Sequence, residues 1–317
     1  MRNSQSTDWI EELFETHEDF PRPNWDAIAE HIKNSFDEHW FNEQWSLVVD
    51  VWLANIIEAL GDGYWLGESH NFLIVSSDSE QSVNALARYL EDKLINILTS
   101  LTDIASDEGY GKHVVIVFDS KDQYYSYISY FYPEEGEFSG SAGIYLNRGY
   151  GHFALTSTSI DMNEIVVAHE LTHACLDHLP LPLWLNEGIT QIMEDKISRS
   201  GRFVADSEIM DQHRKFWGNE EIQQFWSGRS FYRPDEGNEL SYHLARLVVG
   251  AISHNYDAFK EFVISANYHD GGEAAAQEVF GGSLGSVMEQ FLGPGTWAPT
   301  PGNWSDTDGD TMLLSLC

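Results

Sequence analysis

"VVAHELTHACLDHLPLPLWLNEG", residues 166–188, carries His169 and His173 four positions apart, Glu170 beside the first, and Glu187 beyond a proline-broken linker. On a helix that spacing puts both imidazoles on one face about one turn apart, close enough to share one metal ion. Neutral imidazoles suit zinc, and a catalytic zinc takes three protein ligands with a fourth place left open. Glu187 opens the next predicted helix, where it can return to the same metal and complete the set. Glu170 is predicted to face the metal-bound water as a general base. Such a carboxylate takes a proton as water attacks a carbonyl and passes it to the leaving amine, which makes a peptide bond the natural target.

Other ligand sets fit less well. A metzincin places a third histidine six residues after the second, with a glycine three after it; here those positions hold Leu179 and Leu176. Asp177, four residues after His173, reads as a group supporting the ligands rather than as one of them. Glu194, seven after Glu187 on the same predicted helical face, is a candidate for orienting a histidine. "DTDGD" (306–310) fails as a calcium loop: its glycine is fourth rather than sixth, and Cys317 stands where the twelfth-position glutamate belongs.

Around this stretch the chain reads as α+β. Residues 8–60 read as helical, with "NWDAIAEHIKNSF" and "WSLVVDVWLANIIEALG" spacing their apolar residues at helical intervals. "NFLIVSS" (71–77) and "HVVIVF" (113–118) read as strands, separated by a long amphipathic helix over 79–101. Ser120 with Gln123 predicts a capping box, and the aromatic run after it is expected to pack on the sheet. Residues 139–157 read as a hairpin or irregular edge strand. Asp161 with Glu164 marks the start of the histidine-bearing helix, and Pro180 and Pro182 its end. Beyond 202 the pattern is mostly helical, most regularly over 239–266. The expected division is a helical region over 1–65, an α/β part over 66–180, a helical part over 181–292 and a flexible acidic tail over 293–317.

Composition bounds the function. The chain has 317 residues, 42% hydrophobic and 13% aromatic, enough for a sizeable core. With 51 acidic residues against 17 basic, the net charge is −34, which argues against nucleic acid or an anionic membrane as partner. Two cysteines exclude a disulfide framework, and Cys175 reads as a small buried hydrophobe. The opening residues show no basic segment followed by an apolar run, and no stretch has the length of a membrane helix. A cytoplasmic protein is the expectation; the sequence gives no indication of oligomeric state.

"HELTH" followed by "LPLWLNEGITQIMED" resembles the gluzincin metallopeptidases, most nearly their peptidase-MA-like domains. The resemblance covers about residues 70–292. It implies a zincin-like fold: a small mixed β-sheet over the zinc helix, then a mostly helical subdomain, here with an N-terminal helical extension. It implies one zinc ion per chain on His169, His173 and Glu187, with Glu170 as base. It also implies a peptide or protein substrate extended along an edge strand, placed at Gly143, Ile144 and Tyr145. The oxyanion donor of such families sits on a downstream helix, where "ELSYHLARLV" offers Tyr242 and His243; Tyr242 fits the register better. No "GxMEN"-like stretch is present, which favours an endopeptidase or a specialised processing protease over an aminopeptidase. The alternative from another class is a binding or regulatory protein on the same scaffold without general peptidase activity.

Overall fold

The computed structural model describes residues 7–132, 143–157, 160–198 and 207–304. Two compact units emerge, one of residues 1–95 with 107–171, the other of 96–106 with 172–317. Residues 1–65 therefore fall in the same unit as the sheet, and the division does not follow the boundaries at 65, 180 and 292.

The first unit opens with α1 (Asp8–Glu11), β1 (Phe14–His17), β2 (Phe20–Pro23), α2 (Trp25–Ser35) and α3 (Phe41–Leu60). The helical reading of 8–60 is thus corrected at 14–23, where β1 and β2 form an antiparallel hairpin. Its turn residues Glu18 and Asp19 both have positive φ, 50° and 66°. That is the turn hairpins need, made here without the Asn-Gly or Asp-Gly that would announce it. Asn24 caps α2 by accepting from the Ala27 amide.

There follow β3 (Trp65–Glu68), β4 (Phe72–Ser76), α4 (Glu80–Ser100), β5 (His113–Phe118), α5 (Lys121–Ile128), β6 (Gly143–Leu146), β7 (His152–Thr156) and α6 (Ile160–Leu176). The five strands form one mixed sheet in the order β3-β4-β5-β7-β6. The central three are parallel and both outer strands antiparallel to their neighbours. Central strands buried on both faces read as unbroken apolar runs, as "FLIV" and "VVIVF" do. Tyr124, Tyr127, Ile128 and Phe131 are buried with Ile116 and Phe118 in the core, so the aromatic run is packing. Ser120 does cap α5, but Gln123 turns its amide towards Leu60 instead of closing the capping box.

The second unit is helical: α7 (Leu183–Ser198), α8 (Ser207–Phe216), α9 (Glu221–Trp226), α10 (Gly237–Ile252), α11 (Tyr256–Ser265), α12 (Glu273–Phe280) and α13 (Leu284–Leu292). The regular stretch over 239–266 is two helices, because Asn255 caps a new one by accepting from the Ala258 amide. Trp184 anchors this core against Phe225, Trp226 and Phe262 and donates its indole N–H to the Gly271 carbonyl. Residues 293–304, read from the sequence as the start of a flexible tail, are tied to α9: Trp226 donates to the Trp297 carbonyl and Gln223 to that of Ala298. Residues 305–317, including "DTDGD", lie outside the described ones. Among the described residues no helix is long and apolar enough to cross a membrane.

Candidate metal centre

α6 runs unbroken through His169 and His173, so the four-residue spacing becomes one helical turn. It stops at Leu176, short of Pro180, because a residue preceding proline is driven out of the helical region and both Leu179 and Leu181 precede one. The Pro180 carbonyl accepts from the Tyr268 amide, and the Pro182 carbonyl from those of Leu185 and Asn186 as α7 begins. The linker is therefore pinned at both ends. Inside α7, Gly188 sits so close to α10 that a Cβ there would come within 2.7 Å of the Ala245 carbonyl oxygen. That contact fixes the turn of helix on which Glu187 stands.

The ligand atoms of His169, His173 and Glu187 all lie within 4.8 Å of one another. The Nδ1 of His173 is 2.9 Å from the amide oxygen of Asn186, with the Thr190 hydroxyl at 3.4 Å. An amide oxygen only accepts, so Nδ1 carries the proton and the lone pair lies on Nε2. That Nε2 faces the Glu187 carboxylate at 3.6 Å. Two ligands of a tetrahedral zinc, each about 2.1 Å from the metal, are about 3.4 Å apart. The pair thus has the separation of co-ligands rather than of a hydrogen bond.

Glu187 is only 8% exposed, and a carboxylate so buried needs positive charge nearby. A divalent cation held between the imidazoles and this carboxylate would supply such charge. Two imidazoles and one carboxylate are also the donor set of a catalytic zinc with an open fourth place. On these grounds the residues fit the metal.

Glu170, next to His169 on α6, accepts the backbone N–H of Tyr145 on its Oε2 at 2.8 Å. The bond ties the carboxylate to β6, the antiparallel edge strand carrying Gly143, Ile144 and Tyr145. Gly143 belongs there for space: a Cβ would come within 2.8 Å of Val166 on α6. Asp177 is exposed beyond the end of α6. Glu194 lies near Arg246 of α10, which is also ion-paired to Asp195. Tyr242 packs its ring edge-on against Phe231 at 5.1 Å.

His243, its neighbour and half-buried, joins a hydrogen-bonded chain in which the Trp217 indole donates to Nδ1 of the buried His213, and His213 Nε2 meets His243 Nδ1 at 2.6 Å.

Sequence reasoning did not reach Asn186 and Thr190, the two groups in contact with His173 Nδ1. A signal was present: "NEGIT" sets them four apart on the helix that carries Glu187. If zinc is held by these residues, Asn186→Ala is expected to weaken its binding about 10–100-fold, as loss of a ligand-orienting partner does, read by competition with a chelator of known affinity. No protein-family model matches the chain, and no curated protein matches it.

Proposed function

We propose that the chain is a zinc-dependent peptidase of gluzincin type, acting on peptides or proteins as an endopeptidase or specialised processing enzyme. One observation carries the proposal: the ligand atoms of His169, His173 and Glu187 converge within 4.8 Å, with His173 Nε2 3.6 Å from the Glu187 carboxylate. The antiparallel edge strand tied to Glu170 supports a zincin arrangement of the sheet about α6.

Zinc on these three residues would polarise a peptide carbonyl and lower the pKa of a bound water to about 7. Glu170 would take that water's proton. Its Oε2 is engaged by Tyr145, so Oε1 is the atom that accepts the proton and returns it to the leaving amine. Gly143, Ile144 and Tyr145 would align an extended substrate along β6, as an exposed strand edge pairs with a peptide backbone. Tyr242 is assigned as the donor to the developing oxyanion.

The test is metal analysis of protein purified without added zinc, followed by digestion of a broad peptide library. About one zinc per chain and cleavage lost on chelation is the expected result. Absence of metal, and none taken up on titration, overturns the proposal. Zinc bound with no cleavage of any library peptide or lysate protein overturns the peptidase reading in favour of a recognition protein.

A further inference from the structure

Within the first unit lies a cavity of about 530 Å³, in the range of small-molecule sites. Its lining includes Arg22, Arg148, Trp25, Trp52, Tyr130 and Phe131. Arg22 is 4% exposed, which is rare for this residue type without a carboxylate beside it. One nitrogen, Nη2, donates to the Tyr127 carbonyl at 2.6 Å. The guanidinium also lies 4.4 Å from the Tyr127 ring centre and 4.7 Å from that of Tyr130. Its Nε and Nη1 are buried and meet no acceptor among the described residues, and the indole nitrogen of Trp52 is in the same position.

Neither Arg22 nor Arg148 pairs with a carboxylate among the described residues. In a chain with 51 acidic residues against 17 basic, two arginines lining one cavity with no ion pair to a carboxylate among the described residues is a selective arrangement. Ring faces offset part of the cost of burying a guanidinium, but unmet N–H donors keep the rest. An oxyanion from outside would meet it. Gly149, next to Arg148, has a φ of +82°, and a Cβ there would run into the Trp25 ring. The exposed Glu15 and Asp26 also line the cavity, and their charge disfavours a dianion more than a monoanion. The indoles and Phe131 offer flat apolar faces to the remainder of the molecule.

We propose that this cavity binds a small aromatic carboxylate, its anionic end towards Arg22 and Arg148 and its ring among Trp25, Trp52 and Phe131. The proposal is independent of the metal centre and stands whether or not the chain hydrolyses peptides.

Calorimetric titration of the full chain with 3-phenylpropionate tests it, beside 3-phenylpropanol of the same shape and phenyl phosphate. The acid is expected to bind saturably and at least about tenfold more tightly than the alcohol, the loss that follows removal of one charge-assisted contact. Arg148→Met, at a half-buried position, is expected to weaken the acid at least about tenfold with near-ultraviolet dichroism unchanged. Equal affinity for acid and alcohol overturns the proposal, as does no saturable heat up to about 10 mM. Unchanged affinity in Arg148→Met overturns the assigned contact, and tighter binding of phenyl phosphate overturns the choice of a monoanion.

Discussion

For the zinc peptidase proposed above, Glu170→Gln is expected to retain zinc and lose peptide hydrolysis by a factor of about 10²–10⁴, the usual contribution of a positioned general base. The substitution keeps the length of the side chain. Its amide oxygen can still accept the Tyr145 N–H that Glu170 Oε2 accepts at 2.8 Å, so the side chain stays in place. What disappears is the proton acceptor, since an amide is not basic at neutral pH. His169 and His173 on the same helix, and Glu187 beyond it, are untouched, so bound metal per chain should match the wild type. Steady-state rates on one peptide taken from the library digest, with metal content measured on the same preparation, make the comparison. Unchanged rates would remove Glu170 from the mechanism. Lost rates with lost zinc would show that the residue shapes the metal centre instead of acting beside it.

The approach of His169, His173 and Glu187 to one another was legible because its parts are local. Two histidines separated by one helical turn need only the helix to converge, and Glu187 follows in the next helix. The buried strands 72–76 and 113–118 were legible for a similar reason: an unbroken apolar run bounded by polar residues needs no partner to be recognised. The β1–β2 hairpin was not, since Glu18 and Asp19 take the left-handed conformation without a glycine or asparagine to signal it. Nor was the break at Asn255, where continuing apolar periodicity masks a new cap. Arg22 and Arg148 come from a hairpin near the chain start and a loop before β7, and only the folded unit sets them on one cavity. Periodicity reports which face of an element is buried; it carries no register between elements distant in sequence.

Lowering the pH from 7.5 to 5 is expected to cost about 4 kcal/mol of folding stability, half in each unit, through two histidines buried in the neutral form. His152, 1% exposed, has its pKa lowered to about 4, chiefly by burial and further by the Arg22 charge, against a raising hydrogen bond to the Tyr150 carbonyl. Its ring is committed on both sides: Nδ1 meets the Tyr150 carbonyl at 2.8 Å, and Nε2 meets the Tyr127 hydroxyl at 2.7 Å. Trp52 and Phe131 close around it. His213 is fully buried, and its pKa is lowered to about 3 by burial first and by His243 second. A proton on its Nδ1 would collide with the Trp217 N–H that this atom accepts.

For both groups the folded pKa lies below the unfolded value of about 6.5, so the unfolded chain binds the proton first. Their contribution is complete above about pH 6.5 and is lost as pH falls from there through the folded values, at about 2 kcal/mol each by pH 5. A second effect has the opposite sign: titrating part of the −34 net charge relieves repulsion and favours the compact state. Comparison with His152→Gln separates the two, because glutamine cannot titrate while the charge relief remains. Between pH 7.5 and pH 5 the variant should lose about 2 kcal/mol less folding free energy than the wild type, as read from urea midpoints. Equal pH sensitivity of wild type and variant would show that His152 is not held neutral at the cost its burial implies.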